Sequence, residues 1–401
     1  MNLKSGVPFW LIKNGLLYEY PSLDYNLNTE VVILGGGISG ALAAYYLTEA
    51  GIECTVVDAR SIGHGSTCAS TALLQYEIDV PLSKLQKMIG YNDAVRAYEQ
   101  CGEAIQKLEI IAQKIGFSNF AKKKSLYYAA SKRDLPFLEE ECAIRRVNGF
   151  DVGFLNRKEV KDEFQFDAPG AILSQLAAET DAYSFTHALH QYSIKKGCKV
   201  YDRTNIKKIR HTKEGVTLQT EEKQTIKTKK LIYATGYEAV NFVKKDIVNL
   251  QSTYVIISEY PGMEREAWKD DVLIWNTDDP YLYMRTSSDG RIIVGGRDEP
   301  FYNPDKRDRL MDSKCKKLEK DFQKLFPKIP FKRDYQWAGT FGTTKDGLPF
   351  IGPYAPLPNS LFSLGFGGNG ITFSQIAAEI NRDIILGKPN NDARLYRFER
   401  V

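Results

Sequence analysis

Apolar residues form short unbroken runs near the start of the chain and spaced patterns further on. Residues 31–34 predict a buried parallel strand. A glycine loop over 35–40 follows, then a helix to about residue 50, with Gly51 where a helix-ending glycine belongs. Residues 54–57 predict a second buried strand. The chain therefore opens as strand–loop–helix–strand, the start of a doubly wound sheet. Between residues 81 and 150, Leu82, Leu85, Met88 and Ile89, then Ala104, Ile105, Leu108 and Ile111, recur at helical spacing. Residues 126–130 read as a strand. An amphipathic helix after Asp181 (Phe185, Leu189, Tyr192) leads to Gly197, and strands are expected over 199–201, 215–219 and 231–234. Residues 251–300 alternate as in an antiparallel sheet, with strands over 254–258, 281–285 and 292–295 and a turn at Ser288-Asp289-Gly290. A helix around 308–325 stops before Pro327. The tail predicts a strand near 361–364, a second glycine loop, and a helix over about 371–386 ended by Gly387 and Pro389.

Composition narrows the class. The 401 residues are long for one domain and suit two interleaved ones. A net charge of +4 is too balanced to argue for nucleic acid, and Lys122–Lys124 reads as a solvated turn. No run reaches the ~18 apolar residues of a membrane span, and no secretory signal opens the chain. Six scattered cysteines suggest free thiols in a reducing cytoplasm. His187 and His190 share a helix face, but no carboxylate or cysteine cluster accompanies them, so no metal site is expected.

The first loop reads Gly35-Gly36-Gly37-Ile38-Ser39-Gly40, a G-x-G-x-x-G. Its glycines permit a tight turn, a close approach of diphosphate to backbone, and close packing of helix on strand. Free N–H groups and the helix dipole would face the diphosphate. Asp58 lies about 20 residues on, where a carboxylate accepts ribose hydroxyls; it argues against a 2′-phosphate despite Arg60.

Further motifs choose between dinucleotides. A small-residue loop follows Asp58 (Ala59, Arg60, then Gly65, Ser66, Thr67, Ser70 and Thr71). Residues 231–237 end in Ala234-Thr235-Gly236. Trp337-Ala338-Gly339, Asp346-Gly347-Leu348-Pro349-Phe350-Ile351-Gly352 and Gly365-Phe366-Gly367-Gly368-Asn369-Gly370-Ile371 come after. In this order they resemble FAD-dependent oxidoreductases of the D-amino acid oxidase and glycine/sarcosine oxidase type. The resemblance implies a Rossmann-like FAD-binding α/β domain (29–80, 179–250, 335–388). It also implies an interleaved α+β substrate domain on an antiparallel sheet (81–178, 251–334), with residues 1–28 an extension packed on the body. It further implies FAD contacts at these loops and at Ile206 and Thr372. The second helix N-terminus, near Asn369–Thr372, would suit the flavin oxygen where charge collects on reduction. Within the group the chain is most similar to a bacterial branch often fused to a C-terminal Rieske domain; with no Cys-x-His pair, that domain is not expected here.

The resemblance implies oxidation of a C–N bond by hydride transfer to flavin N5, giving an imine, with O₂ or another acceptor. This chain departs from its relatives at the substrate grip. Phe341 stands where an arginine holds the substrate carboxylate, and residues 339–345 hold no cysteine, so FAD is expected to be non-covalent. Arg285 and Arg297 are the substitute carboxylate ligands, with Arg297 facing the flavin. Tyr254, Tyr283, Trp337 and Phe341 are candidate walls for an amine. Two other readings stay open: a flavin-binding assembly protein with little turnover, and a dehydrogenase serving a separate iron–sulfur or quinone partner.

Overall fold

The computed structural model describes residues 1–262 and 267–400, and two sheets organise them. The first has eight strands. Its spine runs Phe350–Pro353, Ser360–Leu364, Thr225–Tyr233, Leu27–Leu34, Cys54–Val57 and Lys199–Tyr201, parallel except at the Phe350–Pro353 edge. Leu34 is level with both Tyr233 and Val57, so three strands end together. The unbroken apolar run is explained by burial on both faces. Val31 and Ile33 pack with the helices Ile38–Glu49, Ala182–Lys195 and Gly370–Ile385. Val32 and Leu34 pack on the other side, with Val216 and Leu218. Helix Ile38–Glu49 lies between the other two helices and is apolar around most of its girth.

The second sheet has ten strands, mostly antiparallel. In it Asn249–Ser258 lies between Arg333–Thr343 and Ile292–Glu299. Helix Pro304–Leu325 covers one face through Cys315, Leu318 and Phe322. Several strands escape the periodicity reading. Gly170–Thr180, rich in alanine and leucine, and Val152–Asn156 both lie in the stretch 151–180, to which the apolar pattern assigns no element. The strands Leu73–Gln75 and Arg333–Thr343 belong to this second sheet, so the chain crosses between sheets inside segments expected in the nucleotide half. Lys4–Gly6 is an edge strand on Arg333–Thr343. Among the described residues no helix is long and apolar enough to cross a membrane.

Candidate active site

The carboxyl ends of the three level strands open onto a cleft of about 580 Å³ between the sheets, the place where doubly wound sheets bind ligands. The first glycine loop forms its floor. Gly35 has φ +110°, and a Cβ there would stand 2.4 Å from the Ala234 carbonyl oxygen. A Cβ on Gly40 would lie 1.8 Å from the Gly35 carbonyl oxygen. Gly40 thus serves packing and does not line the cleft, whereas Gly35, Gly37, Ile38 and Ser39 do.

Asp58 also lines the cleft. Its Oδ2 accepts the Gly36 N–H at 2.7 Å and its Oδ1 the Arg60 N–H at 2.8 Å. Burial pushes its pKa up, and these two N–H groups oppose the shift. Arg60 is the one cationic side chain among the described residues lining the cleft, and it grips Glu238 with two nitrogens at 2.6 and 3.0 Å. Ala59, Ile206, Ala234, Thr235 and Gly236 line the same end.

The loop over 65–72 is held by its carbonyls. Trp10 Nε1 donates to Ser70 at 2.7 Å and Trp337 Nε1 to Ala69 at 2.9 Å. Arg285 Nη1 donates to Thr71 and Ala72 at 3.1 and 2.9 Å. Gly65, Ser66, Thr67, Ser70 and Thr71 thereby face the cleft. Two hydroxyls lining it, those of Ser66 and Thr235, are buried and make no hydrogen bond within the chain. Buried hydroxyls are ordinarily satisfied, so these await a polar ligand, as a dinucleotide would supply. The glycine cradle and the hydroxyls fit FAD.

The second glycine loop supplies Gly367, Gly368, Gly370 and Ile371, and Arg333–Thr343 supplies Gly339. Asn369 and Thr372 differ from expectation. The Asn369 amide turns away and donates to the Gln75 and Glu77 carbonyls at 3.0 and 2.8 Å, and Thr372 is buried within its helix; neither lines the cleft.

The substrate candidates divide. Tyr283 and Phe341 line the cleft, with Tyr283 lying over Gly295, whose Cβ would meet its ring at 2.3–2.4 Å. Tyr254 does not. Thr253 and Val255 point into the cleft, so strand alternation puts Tyr254 on the opposite face, under helix Pro304–Leu325. Trp337 is fully buried behind the flavin-type loop. Arg285 is a structural ion: it is buried, pairs with Glu179 at 3.3 Å and donates to four carbonyls. Arg297 is exposed and makes a two-nitrogen pair with Asp321 on helix Pro304–Leu325.

A bulge explains Arg297. Tyr254 pairs with Gly296 and Ser252 with Glu299, so one residue of one strand faces two of the other. Gly296 (φ +136°) and Arg297 (φ +58°) absorb the extra residue. Simple alternation would aim Arg297 inward; the bulge aims it outward and brings Asp298 to the cleft. Asp298, Tyr281, Gln75 and Glu238 are cleft residues that sequence reasoning misses. The Gly295-Gly296 pair inside a strand pattern is the signal for the first of them.

His190 supports the glycine loop from behind, its Nε2–H donating to the Gly36 carbonyl at 3.1 Å. His187 Nδ1 meets the Tyr20 hydroxyl at 2.9 Å. Burial pushes His190 down to about 4 and His187 down to about 3, so both stay neutral. The unfolded chain takes up protons near pH 6.5 that the folded chain refuses. Stability is therefore full above about pH 6.5 and is lost as the pH falls toward 4. Thermal unfolding between about pH 7 and 5 checks this; His190→Gln, which keeps a donor but cannot ionise, should flatten part of the fall. An unchanged slope would count against it.

The comparisons follow the same lines. The model of the family "DAO: FAD dependent oxidoreductase" matches residues 30–383. The chain is 24% identical over 385 residues to glycine oxidase of Bacillus subtilis (strain 168), covering 92% of this chain and 96% of that protein. It is 22% identical over 386 residues to gamma-glutamylputrescine oxidoreductase of Escherichia coli (strain K12), covering 92% and 86%. The crystal structure of glycine oxidase from Geobacillus kaustophilus superposes with a TM-score of 0.80 at 17% identity, over 94% of this chain and 100% of that one. With the family model matching most of the chain, this protein belongs to the DAO family of FAD-dependent oxidoreductases.

Proposed function

We propose that the chain oxidises the C–N bond of an amine or amino-acid derivative to an imine, passing hydride to N5 of non-covalently held FAD. The main support is one cleft with flavin-type loops from the nucleotide sheet and an aromatic wall, Tyr281, Tyr283 and Phe341, from the other. The names of the relatives, a glycine oxidase and a gamma-glutamylputrescine oxidoreductase, fit the same reaction class.

Asp58, Ala59, Arg60 and Ile206 would hold the adenosine end. The N–H groups over 35–39 would meet the diphosphate, and residues 65–71, 339 and 367–371 would surround the ring. FAD, when bound, supplies the hydride acceptor. The protein orients the amine, excludes water with its aromatic wall, and places the N-terminus of Gly370–Ile385 at the ring end, where a helix dipole favours negative charge. Cys68, on the flavin-type loop, is buried, its thiol donates to the Gly65 carbonyl, and burial pushes its pKa up to about 11. It stays a neutral thiol, so acid precipitation should release all the flavin. The free cysteines favour a cytoplasmic location, which cell fractionation checks.

The deciding experiment is anaerobic mixing of the FAD-loaded protein with a panel of amines and amino acids. Oxidation of a substrate removes the flavin absorbance near about 450 nm. If none of them bleaches the flavin, the protein is a flavin-binding partner with little turnover. Return of colour on admitting air marks an oxidase; return only with a quinone or iron–sulfur acceptor marks a dehydrogenase.

A further inference from the structure

The strand bulge inverts the charge at the substrate end of the cleft. Arg297 leaves for Asp321, and Asp298 takes its place on the wall. Asp298 Oδ1 is buried and has no donor in good hydrogen-bond geometry; the Thr253 hydroxyl is its neighbour within the chain. A buried carboxylate oxygen facing a cavity without such a donor calls for one, and a cation is the strongest.

The surroundings agree. Tyr281 and Tyr283 line the cleft beside Asp298, their ring centroids 5.8 Å apart. Asp79 stands behind them, its Oδ2 accepting the Gly368 N–H at 2.9 Å and its Oδ1 lying 3.5 Å from the Tyr281 hydroxyl. A Cβ on Gly367 or Gly368 would meet Asp79 at 2.4 or 2.7 Å, so this carboxylate is fitted to the loop. The nearest counter-charge, Lys314, is engaged elsewhere, its Nζ donating to the Arg297 carbonyl at 2.9 Å and to Glu299. Arg60 is committed to Glu238 at the other end. A substrate carboxylate at this wall would meet the Asp298 carboxylate and no cation; an ammonium group would meet the same carboxylate and two aromatic rings.

We propose that Asp298, flanked by Tyr281 and Tyr283 and backed by Asp79, binds the substrate as an organic cation. The substrate is then an alkyl or arylalkyl amine without a carboxylate beside the oxidised carbon. This rests on reading the cleft as the amine-oxidising site, and it names the substrate class that site takes. Charge at Asp298 should itself depend on pH. Burial, with Asp79 and Asp279 adding to it and Thr253 and Lys314 opposing, pushes its carboxyl up to about 7. Cation binding should therefore strengthen as the pH rises through about 7.

The test is anaerobic titration of the FAD-loaded protein, read by perturbation of the flavin spectrum. The probes are a straight-chain diamine, benzylamine and tetramethylammonium on one side, and acetate, glycine and D-alanine on the other. The cations should bind at least about tenfold more tightly than the carboxylate-bearing compounds. Asp298→Asn should weaken the cations by a similar factor and leave acetate unchanged or tighter. Tighter binding of acetate or glycine than of benzylamine and tetramethylammonium would overturn the proposal, as would a loaded D298N with unaltered amine affinity. The wild-type comparison stands even if D298N fails to retain flavin. Amines that bind but never bleach the flavin would sink the oxidation reading alone and leave the cation site in place.

Discussion

A Gly40→Ala variant should purify colourless, with FAD affinity lowered by at least about a hundredfold. The added methyl group would sit 1.8 Å from the Gly35 carbonyl oxygen, a backbone atom with no rotamer to yield. Gly35 has nowhere to retreat. Its N–H donates to the Val57 carbonyl at 2.8 Å, and the Ala234 carbonyl crowds its other side. Helix Ile38–Glu49 must therefore shift off the strand end. That shift displaces the N–H groups over 37–39 from the position a diphosphate needs. Absorbance of the purified protein and its response to added FAD check the prediction. Gly51→Asn is the control. Gly51 also has a positive φ, +73°, but faces open space, so this change should cost only about 1 kcal/mol and keep the colour. A yellow G40A protein with normal flavin content would show that the helix–strand contact can relax.

Arg285→Leu should destabilise the protein by about 3–5 kcal/mol, the range seen when one partner of a buried ion pair is removed. The guanidinium is buried, donates to the carbonyls of Thr71, Ala72, Thr180 and Thr286, and pairs with Glu179. It also lies 5.6 Å from the Trp10 ring. Leucine would strand these four carbonyls and the Glu179 carboxylate in a dry site. Calorimetry should show a midpoint lower by on the order of 5 °C, with Arg285→Lys in between because an ammonium lacks the planar fork. A substrate-binding arginine would behave otherwise: KM would rise while the unfolding midpoint stayed put. That second pattern would restore Arg285 as a ligand.

What was legible in the chain follows a physical divide. The glycine loop, the strands around it and the turn to Asp58 are local, since tight turns and close approaches leave their mark in neighbouring residues. The run over 31–34 reads as a buried strand because both faces are covered. Gly170–Thr180 was not legible, because its strand state depends on pairing with Phe120–Tyr128 some fifty residues earlier, and its own composition suits other structures. Tyr254 and Arg297 show the same limit at single-residue scale. Residue type and position in the motif suggest ligands, but which face a strand residue takes depends on register. One inserted residue in the ladder exchanged Arg297 for Asp298. The glycine-loop end of the cleft was thus readable in outline, while its opposite wall depended on pairing between distant strands.

Two of the four tryptophans, Trp10 and Trp337, donate their indole N–H to adjacent carbonyls of the loop that lines the cleft. Of the other two, Trp268 stacks on Phe326, and Trp275 stacks on Tyr127 with its ring 6.2 Å from the cleft residue Tyr281. Indole emission overlaps flavin absorption, so, with FAD in the proposed site, the first pair would be built-in donors for energy transfer to a bound isoalloxazine. Cofactor uptake should be visible as quenched tryptophan fluorescence, and replacing Trp10 and Trp337 by phenylalanine should reduce that quenching. Fluorescence would then time the loading of the loop itself, in an assay that needs no substrate.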